Sequence, residues 1–449
     1  VFVLAACGSQ LSEQEILARS GVRAAATANG NTALAGAPDA ASGSTVDASA
    51  PLPGAPGAAA GSNAAGNASG GDSAAGAAAG VGTPGETGPI VIASVGNYSG
   101  PAGASQAGIP RAVQIWAAWV NAHGGLFGRE VKMLVQDDGG DPARYVSILQ
   151  DDVQNHGVVA FVGQGASLSM QAGTDYLHQA GVPVFGSECS RDEWFSSNVY
   201  APQCATYDVQ IIGNIRAGVQ ITGKKRFGYV YCGEAAACAT NDRVIQNGGA
   251  SAAGADLVYR QQISLTQVDF TAECQNAQRA NVELMFVAAD PNTVNRFWTS
   301  CQRQGFHAQA IQLGVSATAD SNKAPGVADM IVEMSTFPFA GLSGGPFDEY
   351  NQALAAFGET NPGPATGFGW AAAKLFELAA TRAAQNRHSI SSATLLEAFH
   401  TIDSDNLGGL TTSLTFTGTT PTPARCYFIE QGDGKGGWMA PYGAQPQCL

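Results

Sequence analysis

Basic residues are scarce in this chain. Lys and Arg number 22 against 36 Asp and Glu, which gives 449 residues a net charge of −14. No Lys/Arg run is long enough to track a phosphate backbone, so nucleic acid is excluded as a partner, and an anionic membrane surface fits the charge no better. Long apolar runs are missing too: none approaches the roughly 18 residues that cross a bilayer as a helix. The six His are scattered and no Cys-x-x-Cys occurs, which argues against a zinc site. Catalytic signatures are also absent. Gly163-x-Gly165 lacks the third glycine of a dinucleotide fingerprint, and the chain has no phosphate-binding Gly-x-x-x-x-Gly-Lys-Ser/Thr. It has no Gly-x-Ser-x-Gly elbow and no His-Glu-x-x-His helix. The neighbouring acids Asp137-Asp138 and Asp151-Asp152 read as strand-end and helix-surface charges. No catalytic constellation, cofactor or metal is expected.

What the chain does have is unevenly spread. Residues 24–88 are almost entirely Ala, Gly, Ser, Asn, Thr and Pro. Such a segment buries too little apolar surface to offset its ordering entropy, so residues 8–88 read as a flexible tether. The length of the chain allows two or three domains, and the folded part is then about residues 89–449. Ahead of the tether stands Val1-Phe2-Val3-Leu4-Ala5-Ala6-Cys7, an apolar run ending in small residues that looks like the tail of a secretory signal. Leu-Ala-Ala-Cys also resembles the bacterial lipobox. That resemblance implies lipid on the Cys7 sulfur, hence anchoring to a membrane without spanning it.

Nine cysteines leave eight once Cys7 is set aside. Many connectivities are open to eight. The spacing suggests that neighbours pair: Cys189 with Cys204, Cys232 with Cys238, Cys274 with Cys301, and Cys426 with Cys448. An even set of disulfides implies an oxidising compartment.

Within the folded part, apolar strands alternate with helical stretches. Strands are predicted at 90–95, 130–136, 158–162 and 182–185, with helices at 108–123, 141–155 and 172–180. The pattern repeats with strands at 227–231, 257–263, 284–288 and 310–313, and helices at 208–221, 241–250, 269–280 and 290–304. Asp141-Pro142 and Asp290-Pro291 are N-caps followed by Pro at the first helical position. Strands alternating with helices imply parallel sheets covered on both faces, and two such runs imply an α/β protein with two lobes. From 346 to 400 helices dominate, including a long amphipathic one at 370–384. Residues 411–417 and 426–430 read as late strands. A chain that builds lobe one, then lobe two, then returns makes several interlobe crossovers. The reading places 89–207 and 341–412 in lobe 1, and 208–340 and 413–449 in lobe 2.

The strand at 158–162 runs into Gly163-Gln164-Gly165-Ala166-Ser167-Leu168-Ser169, just before a helix. Free N–H groups and the helix dipole make such a strand end suited to a carboxylate or other polar group. Several loops in this order are familiar. Val95-Gly-Asn-Tyr-Ser-Gly-Pro101, Asn121-Ala-His-Gly-Gly-Leu-Phe-Gly-Arg129, Asp137-Asp138 with Asp141-Pro142, and Gly181-Val-Pro-Val together resemble type I periplasmic binding proteins of the Leu/Ile/Val-binding family, over about residues 89–430. The resemblance implies a two-lobed "Venus flytrap", each lobe a mostly parallel sheet with helices on both faces. Such a protein is likewise implied to capture a small solute and deliver it to the permease of an ABC importer, as a monomer.

By the same resemblance the ligand carboxylate is held by Ser167, with Ser169 near it, and by Cys189 and Ser190 on the next loop. Each Ser also reads as a simple N-cap or turn residue. Tyr98 and Ser105 on the first loop, and Phe337 and Phe339 near a crossing, are candidates for the apolar part, the two Phe also reading as core. Ser316 lies in Gly314-Val-Ser-Ala317, where branched-chain amino acid binders carry an acid and this chain has none. Glu234 and Asp290 are the other acidic candidates. An amino acid, an amide, and a carboxylate or aromatic acid are all open as solutes. A ligand-sensing receptor on the same fold, or a structural surface protein, are the alternative functions.

Overall fold

A computed structural model describes residues 88–449. The expected lipidation at Cys7 and the tether, up to residue 87, lie outside the described residues. The first sheet holds β1 (Ile90–Gly96), β2 (Val131–Asp137), β3 (Ala160–Gln164), β4 (Val184–Ser187) and β5 (Tyr200–Ala201). Their order is β2-β1-β3-β4-β5, and every pair is parallel. Four helices accompany them: α1 (Gly100–Gln106), α2 (Gly108–Ala122), α3 (Pro142–Asn155) and α4 (Met170–Ala180). The strand period of two divides the strand residues between two layers. Ile90, Ile92 and Val162 pack with Trp116 of α2, whereas Ala93, Val95 and Phe161 pack with Tyr145 and Leu149 of α3 and Leu177 of α4.

The second sheet is built the same way. It contains α5 (Tyr207–Thr222), β6 (Arg226–Cys232), α6 (Ala236–Val244), β7 (Asp256–Ile263), α7 (Thr271–Arg279), β8 (Leu284–Ala288), α8 (Pro291–Arg303), β9 (Gln309–Leu313) and β10 (Ile331–Met334). Late strands β11 (Cys426–Gly432) and β12 (Trp438–Met439) complete the order β12-β11-β10-β9-β8-β6-β7, and β13 (Gln447–Cys448) pairs β11. The strands β6 to β10 pair in parallel; β11 joins β10 antiparallel. Four disulfides join Cys189–Cys204, Cys232–Cys238, Cys274–Cys301 and Cys426–Cys448.

Three helices return to the first sheet: α9 (Pro346–Ala356), α10 (Pro364–Arg387) and α11 (Ser392–Phe399). The amphipathic helix expected at 370–384 begins earlier, at Pro364. The α10 helix is buried all round up to Ala373, with α2 and α11 flanking it and β3 and β4 beneath. From Lys374 on it is amphipathic, Lys374, Glu377, Thr381 and Arg382 marking its open face. Small residues make this possible: a Cβ on Gly369 would sit 2.1 Å from the Ile109 carbonyl oxygen. Residues 411–417 form lone bridges and no strand, with Thr411 bridging Thr336 and Leu414 bridging Asp405. They lie on the connection that leads from α11 to β11. In β10, Glu333 is fully buried with the Ser335 hydroxyl donating to it (3.2 Å), and burial pushes its carboxyl up to about 8.

Candidate functional site

The carboxyl ends of β1, β3 and β4 meet in two loops. The first follows β3. Gly165 bridges Gly96, and a Cβ on Gly96 would fall 2.4 Å from the Gly165 backbone, so only glycine lets these strand ends meet. Tyr98 closes over them. Its hydroxyl shares a hydrogen bond with Ser94 Oγ (2.6 Å) and accepts from Gly165 N (3.2 Å). Burial raises its pKa, so the phenol stays protonated.

The polar residues of this loop are taken by the protein itself. Gln106 Nε2 donates to Ser167 Oγ (2.7 Å), and Asn97 Nδ2 donates to Gln106 Oε1 (3.1 Å). Gln106 is itself buried at the end of α1, next to the nearly buried Ser105. Ser169 Oγ donates to Asp138 Oδ2 (2.5 Å). Asp137 Oδ1 accepts from Tyr98 N and Gly139 N, both at 3.0 Å. Burial works against that carboxylate, but these bonds and those from Ser99 together bring its pKa below the ordinary value.

The second loop follows β4. Glu188 is buried, accepting from Ser190 N (2.6 Å) on one oxygen and Trp194 Nε1 (2.8 Å) on the other. Burial raises its pKa despite these bonds. Cys189 adopts a left-handed backbone (φ 68°) and is tied to Cys204. Gln210 Nε2 holds its carbonyl (2.7 Å). Arg191 forks onto Glu193 through Nε (3.1 Å) and Nη2 (2.8 Å), and its Nη1 reaches back to the Ser167 carbonyl (3.3 Å). Arg191 therefore joins the two loops.

Opposite this second loop stands α6, with a cavity of about 420 Å³ between them. Ser190, Arg191, Asp192 and Glu193 line one wall, and Tyr207 stands at the start of α5. From α6 come Ala236, Thr240 and Arg243, one helical face by their spacing. Two devices hold α6 still. The Cys232–Cys238 bridge ties its first turn to the end of β6. On another face, Asp242 takes both Arg260 Nε and Nη2 at 2.7 Å and also the Tyr229 hydroxyl, and the Arg260 bonds foremost lower its pKa.

Of the residues expected at the site, Ser190 lines this cavity. Ser167 and Cys189 adjoin it through Arg191 and the loop. Tyr98, Ser105 and Ser169 lie in the packing behind Ser167. The other three are engaged elsewhere. Glu234 Oε1 accepts from Ser264 Oγ (2.5 Å) and Leu265 N (3.0 Å), fastening the end of β6 to that of β7. Asp290 caps α8 through Asn292 N (3.0 Å) and Thr293 N (3.3 Å). Ser316 accepts from Gln312 Nε2 (2.8 Å) and donates to the Leu313 carbonyl (3.3 Å). Phe337 and Phe339 are buried, stacking edge-on with Tyr350 and Trp438 respectively. Among the described residues no group of His, Cys, Asp and Glu is placed to hold a metal, and no helix is long and apolar enough to cross a membrane.

Sequence reasoning missed Arg191, Arg243, Thr240 and Gln106. The face of α6 was hidden because the helix was expected at 241–250. It starts at Ala236, and Ala235 before it has no side chain to cap with.

Two sheets with their strand ends turned to one cavity invite comparison with known proteins. A family model described as periplasmic binding protein matches residues 89–437. The chain belongs to that family. Among solved structures, a branched-chain amino acid ABC transporter protein from Thermus thermophilus with bound valine is 16% identical. It aligns over 81% of this chain and 98% of its own, with a TM-score of 0.69. A substrate-binding periplasmic protein from Ralstonia solanacearum is 20% identical, with a TM-score of 0.67 over 78% of this chain and 99% of its own. A fatty acid ABC transporter substrate-binding protein from Thermomonospora curvata is 19% identical, with a TM-score of 0.65 over 80% and 93%. Identities this low establish the two-lobed α/β fold and nothing finer. No curated protein matches the sequence. The family and these neighbours are binding proteins, and the family implies an extracytoplasmic location.

Proposed function

We propose that the protein captures a small solute between its two lobes and presents it to the permease of an ABC importer. The observation that carries this reading is the cavity between the loop after β4 and helix α6, because its two walls come from different sheets. A solute bridging both walls favours the arrangement in which they are close, in proportion to its differential affinity for that arrangement. The lobes proposed to move are 89–207 with 341–412, and 208–340 with 413–449. The segments that pass between the sheets serve as the hinge. On this reading the protein works as a monomer, held at the membrane by lipid on Cys7 and given reach by residues 8–88.

The test is a thermal-shift screen of the full chain against amino acids, amides, aliphatic acids and aromatic acids. A solute at about one hundred times its dissociation constant should add about 2.7 kcal/mol of stability. A folded sample that no solute class stabilises would count against the reading. Radiolabelled fatty acid incorporated by wild type and lost in Cys7→Ser would support the anchor.

A further inference from the structure

The charges around the cavity are unequally spent. Arg191 gives Nε and Nη2 to Glu193 and Nη1 to the Ser167 carbonyl, so Arg191 and Glu193 neutralise one another. Asp192 Oδ1 accepts from Tyr207 N (3.0 Å). Among the described residues Arg243 has no ion-pair partner, although Glu193 is near enough to feel its charge. Arg243 shares its helix face with Thr240 and with Ala236 in the first turn. Arg243 stands in the last turn of that nine-residue helix, away from the free N–H groups of the first turn, so its guanidinium is the positive charge at that end of the wall. Meanwhile the hydroxyl expected to grip a carboxylate, Ser167 Oγ, accepts from the buried Gln106 carboxamide and turns its own hydrogen to Asn97 Oδ1 (3.5 Å).

We infer that Arg243 of the second lobe, not Ser167 of the first, holds the anionic group of a carboxylate-bearing solute. Thr240 lies one turn before it on the same helix face and lines the same wall. Gln106 stands where a ligand carboxylate would have met Ser167, and so acts as a specificity-determining residue that closes the first loop to ligand. Asp192 on the opposite wall is held by Tyr207 N and has no ion pair among the described residues, so its negative charge disfavours a second carboxylate and selects a monoanion. This inference rests on the solute-capture reading and names the solute's chemistry within it.

Matched acid and amide pairs test it on the full chain: pentanoate against pentanamide, benzoate against benzamide, and valine against valinamide. Acids should raise the melting temperature and their amides should not. Calorimetric titration of the best acid should weaken by about tenfold or more in Arg243→Gln, as expected for losing a charged hydrogen bond. Arg243→Lys should recover part of the loss. Ser167→Ala should stay within about twofold of wild type on the same reasoning. Arg243 is exposed at the surface, so its variants should fold, and unchanged melting without ligand checks this. Amides binding as well as acids, an unaffected Arg243→Gln, or a tenfold loss in Ser167→Ala would each overturn the inference while solute capture stands. Binding by neither set to wild type would instead strike at solute capture itself.

Discussion

The loops after β3 and β4 stand side by side at the end of one sheet, yet they differ in what they leave over. The first closes on itself. Ser167 meets Gln106, Ser169 meets Asp138, and Tyr98 covers the contact between Gly96 and Gly165. The second loop is also tied down, through Glu188, Cys204 and Gln210, but its outer side faces a cavity. Two strand ends with equally suitable residues can therefore have different uses. The decision lies with side chains that arrive from elsewhere in the chain.

The largest effect expected from separating the loops is on the disulfide. Replacing Cys189 and Cys204 by Ser frees a segment with a sequence separation of 15. It should cost about 3 kcal/mol in urea denaturation. Hydrogen exchange should rise in residues 188–204 and stay unchanged in 163–169. Equal loosening of both loops would mean that they form one unit.

A smaller loss should follow Gly165→Ala. The added Cβ would lie 2.6 Å from Tyr98 Cε1 and 3.0 Å from Gln106 Oε1, an overpacking worth about 1–3 kcal/mol. Solute affinity should change little, since the first loop is read as support. A large loss of affinity at preserved stability would give that loop a direct part in binding.

The smallest effect separates the loops by pH. The Glu188 pKa is raised by burial, so the folded protein holds a proton there that the unfolded chain loses near pH 4.3, on the order of a free glutamate. Its contribution is full below that pH and is lost as pH rises through the folded value. Asp137 has the opposite sign. Burial opposes it, but hydrogen bonds lower its pKa overall, so its contribution is present above about pH 3.9 and lost as pH falls through the folded value. Melting curves across pH should show Glu188→Gln flattening the decline as pH rises above about 4.3, and Asp137→Asn flattening the decline as pH falls below about 3.9. The same slope in both variants would remove the distinction.

Much of the fold was legible because its signals are local. Apolar runs ending in Gly or Ser marked the strands of both sheets, and Asp-Pro pairs marked the starts of α3 and α8. What failed depended on distant packing. The α10 helix is amphipathic only from Lys374; its first ten residues, Pro364 to Ala373, are buried all round, and Ala and Gly there carry little information about which face is buried. Residues 411–417 alternate like a strand but have no sheet to join. At the site, the small polar residues at strand ends were visible, including Ser190. Their availability was not, because no spacing rule shows that Gln106 reaches Ser167 from another helix. Arg243 became visible once α6 was seen to begin at Ala236.

Two of the four disulfides brace the opposite walls of one cavity, Cys189–Cys204 behind the first-lobe loop and Cys232–Cys238 at the root of α6. Such bonds form outside the reducing cytosol. A copy held back among cytosolic thiols would lack both braces, keeping only the hydrogen bonds of Glu188 and Gln210 on one wall and the Arg260–Asp242 pair on the other. The place where the chain is oxidised thus sets how firmly the two sides of the cavity are fixed.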